Sequence, residues 1–142
     1  MPEIEIHRKI VSPGDCDLLG HMNVARYFDA ISDSGFGIQT YYGLDRNDIL
    51  HGRRLSFVVV HSESDFLSEV LVGEMIYVKS GLLEIGTKSS LTRHRLYVSG
   101  SDTLAFETRF KNVLMDLKQR KSVPIPDDVR ARMQNFLIES GN

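Results

Sequence analysis

The chain has 142 residues, of which 25% are charged, with a formal net charge of −2 and a single cysteine. That length suits one domain, residues 1–142, built on one core. Interspersed charge of both signs gives no electrostatic case for nucleic acid or an anionic membrane, and Cys16 alone cannot close an intrachain disulfide. No stretch approaches membrane-spanning length, and Met1-Pro2-Glu3-Ile4-Glu5-Ile6 alternates instead of forming a signal-type apolar run, so the expectation is a cytoplasmic protein off the membrane.

Residues 3–12 read as a first strand, with Ile4, Ile6 and Ile10 against Glu3, Glu5 and Arg8, ended by Pro13-Gly14. A loop, Asp15-Cys16-Asp17-Leu18-Leu19-Gly20-His21-Met22-Asn23, then enters a helix. Asn23 is a good N-cap, which puts the helix start at Val24. Val24, Tyr27, Phe28, Ile31, Ile38 and Tyr42 recur at helical spacing, with Arg26, Asp29, Ser32, Asp33 and Gln39 on the other side. Gly35 and Gly37 predict close backbone packing or an irregularity, and Gly43 a stop. Residues 44–52 read as a surface connection with a helical turn.

Leu55 to Phe66 is the second predicted strand. Phe57-Val58-Val59-Val60 is apolar on both faces, as expected for a strand sandwiched inside the protein. Period-two geometry puts Phe57, Val59, His61, Glu63 and Asp65 on one side, either as a polar patch near an interface or as an exposed strand end, the second being favoured. Met75 to Ile85, Thr87 to Val98 and Thr103 to Leu117 continue as an antiparallel meander. Pro126 at a first helical position opens a terminal helix whose apolar side is Val129, Met133, Phe136 and Leu137. One long helix followed by antiparallel strands is an α+β arrangement.

The chemistry sits at the first helix start. A first turn leaves N–H groups unpaired and carries partial positive charge, which suits it to polarising a carbonyl oxygen. Asp17 beside that turn could attack an acyl carbon or take a proton from water, while N–H groups near Asn23 and Val24 hold the oxyanion. On spacing alone, the favoured reading is that Asp15 and Asp17 are turn residues that satisfy backbone donors.

The string Gly14-Asp15-Cys16-Asp17, then Gly20-His21-Met22-Asn23 and Tyr27, resembles the 4-hydroxybenzoyl-CoA thioesterase family of hotdog-fold enzymes, whose pattern is Asp-x-Asp-x-x-Gly-His-x-Asn followed by Tyr. Phe57 to Glu63 and Gly73-Glu74 extend the resemblance over most of the chain. It implies a hotdog fold: an antiparallel five- to six-stranded sheet wrapped around one long helix, with a C-terminal helix. It implies hydrolysis of an acyl-CoA thioester, with Asp17 as the catalytic carboxylate and a main-chain oxyanion donor near Val24, beside Asn23. Gly20, His21 and Tyr27 would shape the approach and orient substrate. The resemblance also implies a homodimer, or a homotetramer as a dimer of dimers, with each site at a subunit junction, and no cofactor, because coenzyme A belongs to the substrate. The chain departs from many members in having Asn23-Val24 where they carry Asn-Asn. The rival readings are a hotdog dehydratase acting on hydroxyacyl thioesters, with His61 as its histidine, and a non-catalytic dimer that binds acyl thioesters.

Other constellations weigh less. Carboxylates beside Cys16 disfavour its thiolate. His21 reads as a structural or substrate-orienting imidazole more than a proton-transfer one, and His7, His51, His61 and His94 show no metal-ligand spacing. Lys88, Arg93, Arg95 and Lys111 could meet phosphates but read as a solvated strand face. Arg26, Asp29 and Asp33 read as ordinary surface pairing.

Overall fold

The computed structural model describes residues 2–138. Six strands, β1 (Ile4–Ile10), β2 (Leu55–Phe66), β3 (Met75–Ile85), β4 (Ser89–Val98), β5 (Thr103–Asp116) and β6 (Lys121–Ser122), form one sheet. Its order is β1-β3-β4-β5-β2, every pairing antiparallel, and β6 continues beside β5 beyond the end of β4. The sheet curls around α1 (Val24–Tyr41), while α2 (Arg46–Leu50) and α3 (Asp127–Met133) flank it. This is the hotdog arrangement the motif implied.

α1 is specified at both ends. The Asn23 side chain accepts from the Ala25 N–H at 2.9 Å, and Gly43, at φ 91°, supplies the left-handed residue just past the C-cap Tyr42. Against α1 lie two apolar clusters. One gathers Met22, Tyr27, Ala30 and Ile31 with Val78, Leu96 and Phe106. The other gathers Ile38, Tyr42 and Leu44 with Phe57, Leu82, Leu114, and Val129 and Met133 of α3. Burying each such side chain contributes about 1.5–3 kcal/mol.

Several expectations shift for local reasons. A bulge between Glu5 and His7 flips the alternation of β1, so Ile10 turns outward and Val11 is buried instead. A second bulge, between Val59 and His61, breaks the single polar side expected of β2. β2 is also an edge strand: Val59 and Val60 are 52% and 58% exposed, so the apolar run is not sandwiched within one chain. Gln39, expected on the polar side of α1, is buried because its Oε1 accepts from the Phe57 N–H at 2.9 Å. Val24, expected on the buried side, is exposed at the helix tip. Gly37 packs tightly, since a Cβ there would stand 2.3 Å from Ile6 Cγ2, whereas a Cβ on Gly35 would meet nothing within 4 Å. Pro126 occupies the N-cap of α3 rather than its first helical position.

Candidate active site

The motif loop is a small folded unit. A 3-10 turn over Pro13–Asp15 leads to Cys16, which pairs across to Met22. Within that hairpin the Asp17 N–H donates to the His21 carbonyl at 3.0 Å, and the Gly20 N–H to the Asp17 carbonyl at 3.0 Å. Gly20 sits at φ 83°, a conformation that L side chains resist, so the turn depends on it. The returning arm is tied down by the Met22 N–H on the Val70 carbonyl at 2.8 Å and by His21 pairing with Leu71. Leu18 and Leu19, at the tip, stand exposed.

Asp15 and Asp17 then part company. The Asp15 carboxylate is buried, accepting from the Ser12 N–H (2.9 Å), the Ser12 hydroxyl (3.0 Å) and Lys9 Nζ (2.7 Å). Those bonds, Lys9 foremost, hold its pKa down to about 2. Asp17 is half-buried and accepts only from the Leu19 N–H, at 2.8 Å, among the described residues. No described group donates to its second oxygen.

The start of α1 has one donor to spare. The Asn23 N–H donates to the Asp15 carbonyl (2.8 Å), Ala25 to the Asn23 side chain (2.9 Å) and Arg26 to the Asn23 carbonyl (2.9 Å). Among the described residues nothing accepts from the Val24 N–H. Of the two main-chain donors singled out in the sequence, Asn23 is engaged in holding the loop and Val24 is open. The Asp17 N–H bonds the His21 carbonyl across the hairpin, three positions before Val24, so the carboxylate and this N–H belong to the same folded loop.

His21 Nε2 lies 3.3 Å from Glu69 Oε1, a partner 48 positions away that no local pattern announces. The Tyr27 ring is buried between Phe66 and Phe106, with centroids 5.2 Å and 5.0 Å away. Burial first, and the Glu69 carboxylate second, push its hydroxyl pKa up. Cys16 is half-buried, its Sγ 3.7 Å from the Ser12 carbonyl. Arg26 pairs with Asp29 at 2.9 Å, as expected of a surface pair. Arg93 does not belong to a solvated face: it is 2% exposed, with Glu3 at 3.2 Å.

One turn along α1 from Val24, at Phe28, a cavity of about 630 Å³ opens between the helix and strands β2, β4 and β5. Its walls are apolar at Phe28, Ile31 and Phe57, and polar at Gln39, His94 and Asn112. His94 Nδ1 is 2.6 Å from the Ser80 hydroxyl, and burial pushes the imidazole pKa down to about 4, so it is neutral. The sequence does carry a signal for this site: Ser90, Thr92 and His94 alternate along a strand whose next inward positions are Leu96 and Val98. Among the described residues no group of three or more His, Cys, Asp or Glu is placed to hold a metal ion, and no helix is long and apolar enough to cross a membrane.

Comparison with known proteins agrees with this architecture. A hypothetical protein, SAV2348, of Staphylococcus aureus, solved in complex with CoA, superposes with a TM-score of 0.86 at 18% identity, over 96% of this chain and 85% of that one. A gentisyl-coenzyme A thioesterase, BH1999, gives 0.76 at 20% identity, over 89% and 98%. A 1,4-dihydroxy-2-naphthoyl-CoA thioesterase of Synechocystis gives 0.77 at 15%, over 93% and 96%. At these identities the likeness is one of fold. No curated protein sequence matches. Residues 11–133 match the thioesterase-like superfamily, so the match takes in the motif loop, α1 and every strand but β1. The chain belongs to the thioesterase-like superfamily.

Proposed function

We propose that the protein hydrolyses an acyl-CoA thioester to a carboxylic acid and free coenzyme A. The observation that supports this reading is that one folded loop carries both a carboxylate oxygen to which no described group donates and a helix-start N–H with no described acceptor. Asp17 acts on the thioester carbon, either directly as a nucleophile or by drawing a proton from water. The Val24 N–H, backed by the dipole of an 18-residue helix, holds the oxygen as it gains charge. The C–S bond then breaks and the thiolate leaves; on the nucleophilic route water next cleaves the mixed anhydride to restore Asp17, and on either route one proton of that water balances the thiolate as free thiol and its oxygen ends in the carboxylic acid. Asn23 keeps the helix start in place, Gly20 allows the turn, and His21 with Tyr27 shapes the approach. The reaction needs no cofactor beyond the CoA of the substrate.

The reading includes a homodimer. The free edge of β2, with Val59, Val60, Phe66 and Leu67 exposed, and the exposed Leu18 and Leu19 offer an apolar band and unpaired strand backbone to a second copy. Such a pairing would also cover the loop from outside, and a dimer of dimers can build on it. Thiol release from a panel of short, long and aromatic acyl-CoAs tests the activity. Release of free CoA with at least one member supports it. Enoyl formation from hydroxyacyl thioesters without thiol release would replace it with the dehydratase reading, and binding without turnover with the non-catalytic one.

A further inference from the structure

The cavity beside α1 is not built like the rest of the helix–sheet core. On β4 the inward positions run Ser90, Thr92, His94, Leu96 and Val98. Leu96 and Val98 pack in the cluster under the first half of α1, whereas the three polar residues face the cavity. Asn112, directly opposite Ser90 on β5, joins them. On β4 the polar positions are the ones that look onto this space, and Ser80 and Thr108, the cross-strand neighbours of His94, carry the polarity a little past it. That space is real at the helix as well, since Gly35 lines it and a Cβ there would meet nothing within 4 Å.

The polar groups around this cavity have bonding capacity left over. Asn112 Nδ2 donates to the Ser90 hydroxyl (3.3 Å), the Thr92 hydroxyl (3.2 Å) and the Phe110 carbonyl (3.2 Å), while no described group donates to its Oδ1. Gln39 uses its Oε1 on the Phe57 N–H and the Ser56 hydroxyl, and its Nε2 donates to no described group. The hydroxyl of Tyr42, a residue only 1% exposed, has no partner among the described residues. The Tyr42 hydroxyl is a buried orphan of the kind a working protein nearly always pairs, and Asn112 Oδ1 and Gln39 Nε2 have bonding capacity to offer an occupant beside it. The occupant is also uncharged: no Asp, Glu, Lys or Arg lines the cavity, and a carboxylate or ammonium would enter without a counter-charge.

The shape sets the length. By helical rise, Gln39 lies about 22 Å along α1 from Val24, where the thioester oxygen sits in the proposed reaction. A group near Gln39 and Tyr42 is therefore remote from the carbon under attack. We propose that this cavity is an acyl pocket for a long, uncharged acyl chain bearing a hydroxyl toward its distal end, read by Asn112, Gln39 and Tyr42. The hydroxyl donates to Asn112 Oδ1 and accepts from Gln39 Nε2 or the Tyr42 hydroxyl. Phe28, Ile31 and Phe57 cover the methylenes. This assignment rests on the acyl-CoA reading of the same site.

The test uses matched sixteen-carbon substrates, one plain, one with a hydroxyl near the far end and one with a carboxylate there, alongside 4-hydroxybenzoyl-CoA. Both kcat/KM for thiol release and the affinity for the corresponding non-hydrolysable thioethers are measured. The expected result is a preference of at least tenfold for the hydroxylated chain over the other three. Asn112→Leu should bring the ratio of hydroxylated to plain chain near one. Tyr42→Phe, which removes a hydroxyl without a partner and so keeps the fold, should lower that ratio several-fold. Gly35→Met should shift the preferred chain to a shorter one. A plain chain or the aromatic substrate preferred by the wild type, or the ratio kept in folded Asn112→Leu and Tyr42→Phe, overturns the pocket assignment. The thioether ratios without any thiol release would leave the pocket standing and remove the hydrolase reading.

Discussion

Two aspartates two residues apart behave as opposites. Asp15 points inward, takes three hydrogen bonds through Oδ2, has the Arg26 guanidinium 3.8 Å from Oδ1, and anchors the turn from which the motif loop departs. Asp17 is half-buried, takes one backbone hydrogen bond, and has no cation or second donor on it among the described residues. The same residue type is spent on folding at one position and left available for chemistry at the other. A carboxylate held by three donors and flanked by two cations is a poor nucleophile or base, so its bonding record separates scaffold from reagent better than sequence position does.

The largest effect that could break this comparison is on stability. Asp15→Ala strands the Ser12 N–H and hydroxyl and the Lys9 ammonium, and should cost about 2–4 kcal/mol in urea unfolding. Asp17→Ala releases only the Leu19 N–H at a solvated turn, and should cost under about 1 kcal/mol. Equal losses would show that the two carboxylates do the same job.

Next comes acid titration. Folding lowers the Asp15 pKa from 3.8 to about 2, so the unfolded chain binds its proton more readily. The contribution, about 2 kcal/mol before screening at the half-exposed Lys9, is fully present above the unfolded pKa and is lost as pH falls from about 4 toward 2. Asp15→Asn should lower the slope of that part of the stability curve, which Asp128, paired with Arg53 and also held down to about 2, continues to supply in part. The window is read below the one set by His94, whose own depressed pKa of about 4 makes stability fall earlier, as pH drops from 6.5 to 4.

Smaller changes test the loop between the two. Gly20→Ala forces a side chain into φ 83° and should cost about 1–2 kcal/mol, with thiol release falling further than stability because Asp17 rides on that turn. Asn23→Ala removes the cap on Ala25 and should cost about 1 kcal/mol by thermal unfolding.

The sequence made α1 legible from Asn23 to Gly43, because capping and left-handed termination are local chemistry. It made β2 and β3 legible nearly to the residue, because long β-branched runs end at clear turns. It misplaced Ile10 and the alternation of β2, since a bulge is a pairing event with no marker in a single strand. Gln39, Arg93 and Glu69 were misread or missed for another reason: each is defined by a partner between 18 and 90 positions away. At the site, the motif pointed to Asp17 and the helix start but could not tell which first-turn N–H was free. That depended on the Asp15 carbonyl having already claimed Asn23. The cavity was legible only as an odd polar alternation in β4, which has no meaning until the helix is seen to stand away from it.

The central claim is that Asp17 performs the reaction that the rest of the loop only positions. Thiol release by Asp17→Asn, measured beside the wild type with the best substrate of the panel and with circular dichroism confirming equal folding, tests it most directly. A fall in kcat of at least about 100-fold at unchanged stability is the predicted result. Turnover within about threefold of wild type would contradict the account.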